Sequence, residues 1–138
     1  MNLIHYSKGF KYQLRKDYIT KIDIYPDEAI GTEFITLLET GVLVINSGYA
    51  WDGPSGPTID TKNFMRGALV HDVLYQLIRM GLLAKENREK ADLLLKQICL
   101  ADGMSRLRAW YVYRGVKRFA AFATAARNIK KIYIAGKE

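Results

Sequence analysis

The chain has 138 residues, a length one domain with a single core accounts for, and it is 49% hydrophobic and 25% charged, a balance that excludes a disordered chain. Its formal charge of +7 is unevenly placed, since residues 1–104 hold twelve Lys and Arg against thirteen Asp and Glu while residues 105–138 hold nine against one. The single cysteine, Cys99, excludes an intramolecular disulfide and a thiolate metal cluster, and no apolar run approaches the roughly 18–20 residues of a membrane span.

The first residues, Met1 to Lys8, lack the charged-then-apolar layout of a secretory signal, so synthesis in the cytoplasm is expected. From Phe10 to Ile24, Tyr12, Leu14, Tyr18, Thr20, Ile22 and Ile24 mostly keep a two-residue alternation that predicts strands with one buried face, with Lys16 breaking the series. Pro26-Asp27-Glu28 interrupts the pattern. It resumes from Glu33 to Leu38, and Glu39-Thr40-Gly41 turns the chain into Val42-Leu43-Val44-Ile45, which reads as a β-hairpin. Asn46 to Pro57 is rich in Gly and Pro and reads as a structured loop.

Helical spacing then takes over. Phe64, Ala68, Val70, Leu74, Leu77 and Ile78 predict a helix from about Asn63 to Met80, with Gly81 as its stop. Ala91, Leu94, Leu95, Ile98 and Cys99 form the apolar face of a second helix from about Asn87 to Ala101, ended by Asp102-Gly103, and the short link makes the two antiparallel neighbours. A third stretch, from Ser105 to about Tyr133, mixes Leu107, Trp110, Tyr111, Tyr113, Phe119 and Phe122 with many Arg and Lys. Its aromatic residues are expected in the core and its basic residues on a solvated face, with Gly115 bending or dividing it. The expected fold is one α+β domain over residues 1–138. It has an amino-terminal antiparallel hairpin or small sheet (1–48), a site loop and helix pair (49–104) and a basic amphipathic helix (105–138).

His71-Asp72-Val73-Leu74-Tyr75 carries the chemistry. On a helix His71 and Tyr75 lie one turn apart on one face, and Asp72 is turned by about 100°. An imidazole titrates near neutrality and serves as a general base, whereas a carboxylate is the hard oxygen ligand that calcium prefers. Upstream, Tyr49 to Pro57 can fold a tight loop with carbonyls turned inward, a credible calcium cage together with one carboxylate. Downstream, Asp92 on the second helix can hydrogen-bond the far nitrogen of His71 and hold its tautomer. The same residues also fit plainer roles: a structural His71–Asp92 pair, a solvated Asp72, a turn-forming Asp52 and a structural Tyr75. A metal-dependent phosphohydrolase of the His-Asp type needs further histidines, and only His5 and His71 exist.

The His-Asp-x-x-Tyr helix, the preceding Gly-Pro loop and the Ala91-Asp92 pair resemble the phospholipase A2 superfamily, and especially the disulfide-free domain of parvovirus capsid proteins. The pattern Gly-Tyr-x-x-Asp-Gly-x-Ser followed by His-Asp-x-Leu-Tyr is also similar to a phage and bacterial family, domain of unknown function 1353, over roughly residues 30–125. The first resemblance implies calcium-dependent hydrolysis of phospholipid esters at a membrane. His71 would be the water-activating base, Asp92 and Tyr75 its orienting network, and Asp72 the calcium carboxylate, with loop ligands at Trp51, Gly53 and Ser55. Arg114, Lys117 and Arg118 would meet the anionic surface. The second resemblance implies a protein made in the cytoplasm of a phage host, membrane-associated or incorporated in a virion with other phage proteins. A non-enzymatic virion, tail or accessory protein that keeps the scaffold is the alternative function. Nucleic-acid binding through residues 105–138 is a third.

Overall fold

The structure, a computed structural model, describes residues 4, 6–7, 12–51 and 62–118, with backbone alone at 6, 7 and 118. The chain divides into two compact units, the strands lying within residues 1–53 and the helices within residues 54–129. The fold is α+β, with antiparallel strands followed by helices.

Among the described residues, seven short strands make two antiparallel sheets: β1 (Tyr6–Ser7), β2 (Tyr12–Leu14), β3 (Tyr18–Lys21), β4 (Ile30–Gly31), β5 (Ile35–Leu37), β6 (Val42–Ile45) and β7 (Ala50–Trp51). The smaller sheet runs β1-β2-β7 and the larger β3-β6-β5-β4. The expected hairpin is β5–β6, pairing Leu37 with Leu43 and Ile35 with Ile45. Gly41 closes its turn at φ 89°, and a Cβ there would lie 2.4 Å from the Ile22 carbonyl oxygen, so a side chain has neither the backbone angle nor the room. The alternation from Phe10 to Ile24 is matched by burial at Tyr12, Leu14, Tyr18, Ile22 and Ile24, with Thr20 half-buried and Lys16 exposed, but the strand ends at Lys21 and Ile22 and Ile24 lie beyond it. One part of the loop reading is corrected. Ala50 and Trp51 form β7, with Trp51 in register with Tyr12; its ring is fully buried, 5.6 Å from that of Tyr12 and 6.4 Å from that of Tyr49.

In the helical unit, α1 (Lys62–Arg79), α2 (Arg88–Ala101) and α3 (Arg106–Arg118) follow one another, with a single 3-10 turn, Lys85–Asn87, ahead of α2. Both predicted stops are glycines in the left-handed region, Gly81 at φ 77° and Gly103 at φ 97°. Each closes its helix with two bonds to orphan carbonyls: Leu82 N to Leu77 O at 3.0 Å and Gly81 N to Ile78 O at 3.0 Å, then Met104 N to Cys99 O at 2.9 Å and Gly103 N to Leu100 O at 3.1 Å. Ser105 caps α3, its Oγ accepting from Arg108 N at 3.2 Å.

The residues chosen by spacing on α1 and α2 are buried, and Phe64, Ala68, Leu95, Cys99, Met104, Ala109 and Val112 form a shared core of all three helices. Gly67 lets α1 and α2 approach closely, since a Cβ there would lie 3.0 Å from Cys99 Sγ and 3.2 Å from the Leu95 carbonyl oxygen. Buried Arg66 ties α1 to the end of α2 through bonds to both carboxylate oxygens of Asp102, Nε to Oδ2 at 3.0 Å and to Oδ1 at 3.3 Å, and Nη2 to Oδ1 at 2.9 Å. The pairing compensates a charge that is costly to bury alone.

Division of α3 at Gly115 and burial of its aromatic residues are the two expectations that are corrected. The helix runs unbroken through Gly115 to Arg118, because one glycine costs only about 1 kcal/mol in a packed helix. Its inward face is made by Ala109 and Val112, with Val116 packed against the core, whereas Leu107, Trp110 and Tyr111 are exposed. Phe119, Phe122 and the rest of the predicted stretch lie outside the described residues. Among the described residues, no helix is long and apolar enough to cross a membrane.

Candidate functional site

The antiparallel pairing of α1 and α2 builds the site. Along α1, Gly67, His71 and Tyr75 are spaced by four and share a face; along α2, Cys99, Leu95 and Asp92 answer them in reverse order. Close backbone approach at Gly67 leads one turn later to side-chain contact at His71. Its Nε2 lies 2.8 Å from Asp92 Oδ1, and the Tyr75 hydroxyl donates to the same oxygen at 2.6 Å. The His71 and Tyr75 rings lie 4.1 Å apart between centroids, tilted by 35°.

All three residues are buried, Asp92 to 1% exposure. A carboxylate so far from water is stable only where donors replace its hydration, and the imidazole and the phenol supply two. Because Asp92 Oδ1 accepts from both, Nε2 carries the ring proton and Nδ1 carries the lone pair. No hydrogen bond is made to Nδ1 among the described residues. Burial first, then the hydrogen bond and negative charge of Asp92, push the Tyr75 phenol well above its ordinary range, opposed in part by Arg88. Tyr75 therefore stays a donor, and it holds the carboxylate in place.

The other predicted site residues stand differently. Asp72 follows His71 on α1 and is half-buried. Trp51 is in β7, its ring packed with Tyr12 and Tyr49, and Gly53 and Ser55 lie outside the described residues. Among the described residues no group of three or more His, Cys, Asp or Glu can hold a metal ion. Arg114 and Lys117 are exposed on α3, the first with its guanidinium 5.2 Å from the Trp110 ring centroid and the second with Nζ 5.6 Å from that of Tyr113; the Arg118 side chain lies outside the described residues. The outward placement of Leu107, Trp110 and Tyr111 was missed from sequence. The signal was present in Ala109, Val112 and Val116, whose spacing of three and four marks a small-residue face that fits a tight core.

The fold and site together define an α+β protein whose helix pair encloses a buried His–Asp–Tyr unit. The chain belongs to a family of proteins of unknown function, DUF1353, whose model matches residues 32–116, well over half of its length and the whole of that unit. No curated protein and no solved structure matches the chain.

Proposed function

We propose that this protein is an ester hydrolase of the phospholipase A2 type, with His71 as its general base. The observation that carries the reading is the two-donor seat at Asp92 Oδ1, which fixes the Nε2–H tautomer and leaves Nδ1 as the acceptor. In the reaction, Nδ1 takes a proton from water as the water oxygen adds to the ester carbonyl. The imidazolium that forms is balanced by Asp92. Collapse of the tetrahedral adduct breaks the bond from the carbonyl carbon to the alcohol oxygen, and His71 returns the proton to that oxygen.

Asp72, the neighbour of His71 on α1, would contribute one carboxylate to a calcium site, with backbone carbonyls as the remaining ligands. Calcium held there would supply positive charge for the developing oxyanion.

The test is fatty-acid release from phosphatidylglycerol and phosphatidylcholine vesicles by the full chain, with calcium and with a chelator. Calcium-dependent release that His71→Gln abolishes, and that Asp72→Asn lowers together with calcium affinity, is expected. A folded parent without turnover on either lipid overturns the hydrolase reading in favour of a non-enzymatic phage virion or accessory protein. Release that survives His71→Gln removes His71 as the base.

A further inference from the structure

We infer that the outward face of α3 is a docking surface for an anionic lipid bilayer, with the helix lying in the plane of the headgroups. Leu107, Trp110, Tyr111 and Arg114 stand at spacings of three, four and seven, which places them on one face, opposite buried Ala109 and Val112. Leu107 is 77% exposed, Tyr111 70% and Trp110 47%. Such a row of large apolar groups in water is unfavourable unless something covers it.

The composition of α3 selects the occupant. Arg106–Arg118 contains five basic residues and no acidic one, and exposed Arg106, Arg114 and Lys117 accompany the apolar row. A second copy laid on this face would set like charges against like. An anionic bilayer supplies the opposite charge at headgroup level and an apolar layer just beneath it, where an aliphatic side chain is buried and amphipathic rings settle. Single-stranded nucleic acid offers charge and stacking, but it has no use for Leu107, the most exposed of the three, and Arg114 already lies over the Trp110 ring.

The inference gives the proposed hydrolase its surface, and in naming a lipid it rests on that reading. Binding is therefore measured apart from turnover, on the full chain carrying His71→Gln. Sedimentation with vesicles of mixed phosphatidylglycerol and phosphatidylcholine is compared with pure phosphatidylcholine, and tryptophan fluorescence is followed on the same samples. Trp51 is fully buried and Trp110 exposed, so a blue shift on binding reports Trp110. The protein is expected to partition onto the anionic vesicles with that shift and not onto the neutral ones. Arg114→Gln with Lys117→Gln should weaken partitioning at low salt by roughly fivefold per charge, and Leu107→Gln by about tenfold. Leu107 and both basic residues are exposed, so the variants should keep the parent's melting temperature. The inference is overturned by absent sedimentation at low salt, by Leu107→Gln binding as well as its parent, or by single-stranded RNA displacing the protein from vesicles while shifting the Trp110 emission.

Discussion

Asp92 Oδ1 receives both the His71 ring and the Tyr75 phenol, so the three side chains act as one unit and their substitutions should not multiply. His71→Gln and Asp92→Asn are each expected to lower kcat/KM for ester hydrolysis by on the order of 1,000-fold, and the double substitution by little more than either alone. Tyr75→Phe keeps the ring and removes one of two donors. It should cost about 1–2 kcal/mol of stability and a smaller share of rate, because His71 still holds the carboxylate. Circular dichroism and melting must accompany the kinetics, since an unpaired buried charge also unfolds proteins. Additive losses at His71 and Asp92 would show that the aspartate has a separate role.

Between elements, the decisive contact is the seam of α1 and α2 at Gly67. A methyl group there gains up to about 1 kcal/mol in helix propensity but meets Cys99 Sγ and Leu95 Cδ1 at 3.0 Å and a backbone oxygen at 3.2 Å, an overpacking worth about 1–3 kcal/mol. Gly67→Ala is therefore expected to destabilise by about 1 kcal/mol in urea unfolding, and Cys99→Ala in the same chain should recover part of the loss by making room. A stabilised Gly67→Ala would mean that the helices separate at little cost. Much of this level was legible in the sequence: Gly81 and Gly103 punctuate the helices, and the hairpin link makes it physically reasonable for residues 21 apart, His71 and Asp92, to meet. Strand β7 was not legible, because its partner is Tyr12–Leu14, far along the chain, and local Gly and Pro content says nothing of such a pairing. The outward aromatic residues of α3 were misread because ring size was weighed above the small-residue spacing of Ala109, Val112 and Val116. Nor did any pattern announce the Arg66–Asp102 tie, which joins a helix interior to a helix end 36 positions away.

For the molecule as a whole, hydrophobic packing rather than cross-linking carries stability, and its one thiol makes that measurable. Burial, reinforced by the charge of Asp102 and opposed by Arg108 and Arg66, pushes the Cys99 thiol from an ordinary 9.0 up to about 12. Below pH 9 both folded and unfolded chains keep this proton, and the contribution to stability is complete. Above it the unfolded chain releases the proton first, so stability should fall from pH 9.0 through about 12. Tyr75, also raised, adds a fall that begins near its ordinary value of 10.0. Denaturation midpoints across this range should decline less steeply for Cys99→Ala than for the parent, and parallel declines would show that the thiol takes no part. The order of the larger sheet has a consequence for dissecting the chain. The family's matched range opens at residue 32, after β3 and β4 have gone by, yet these two strands flank the β6-β5 hairpin on either side. A fragment cut at that boundary strips both flanks and bares two rows of unpaired amides and carbonyls, a template for sticking chain to chain. The stretch that sequence comparison recognises is thus smaller than the stretch that can shield its own sheet.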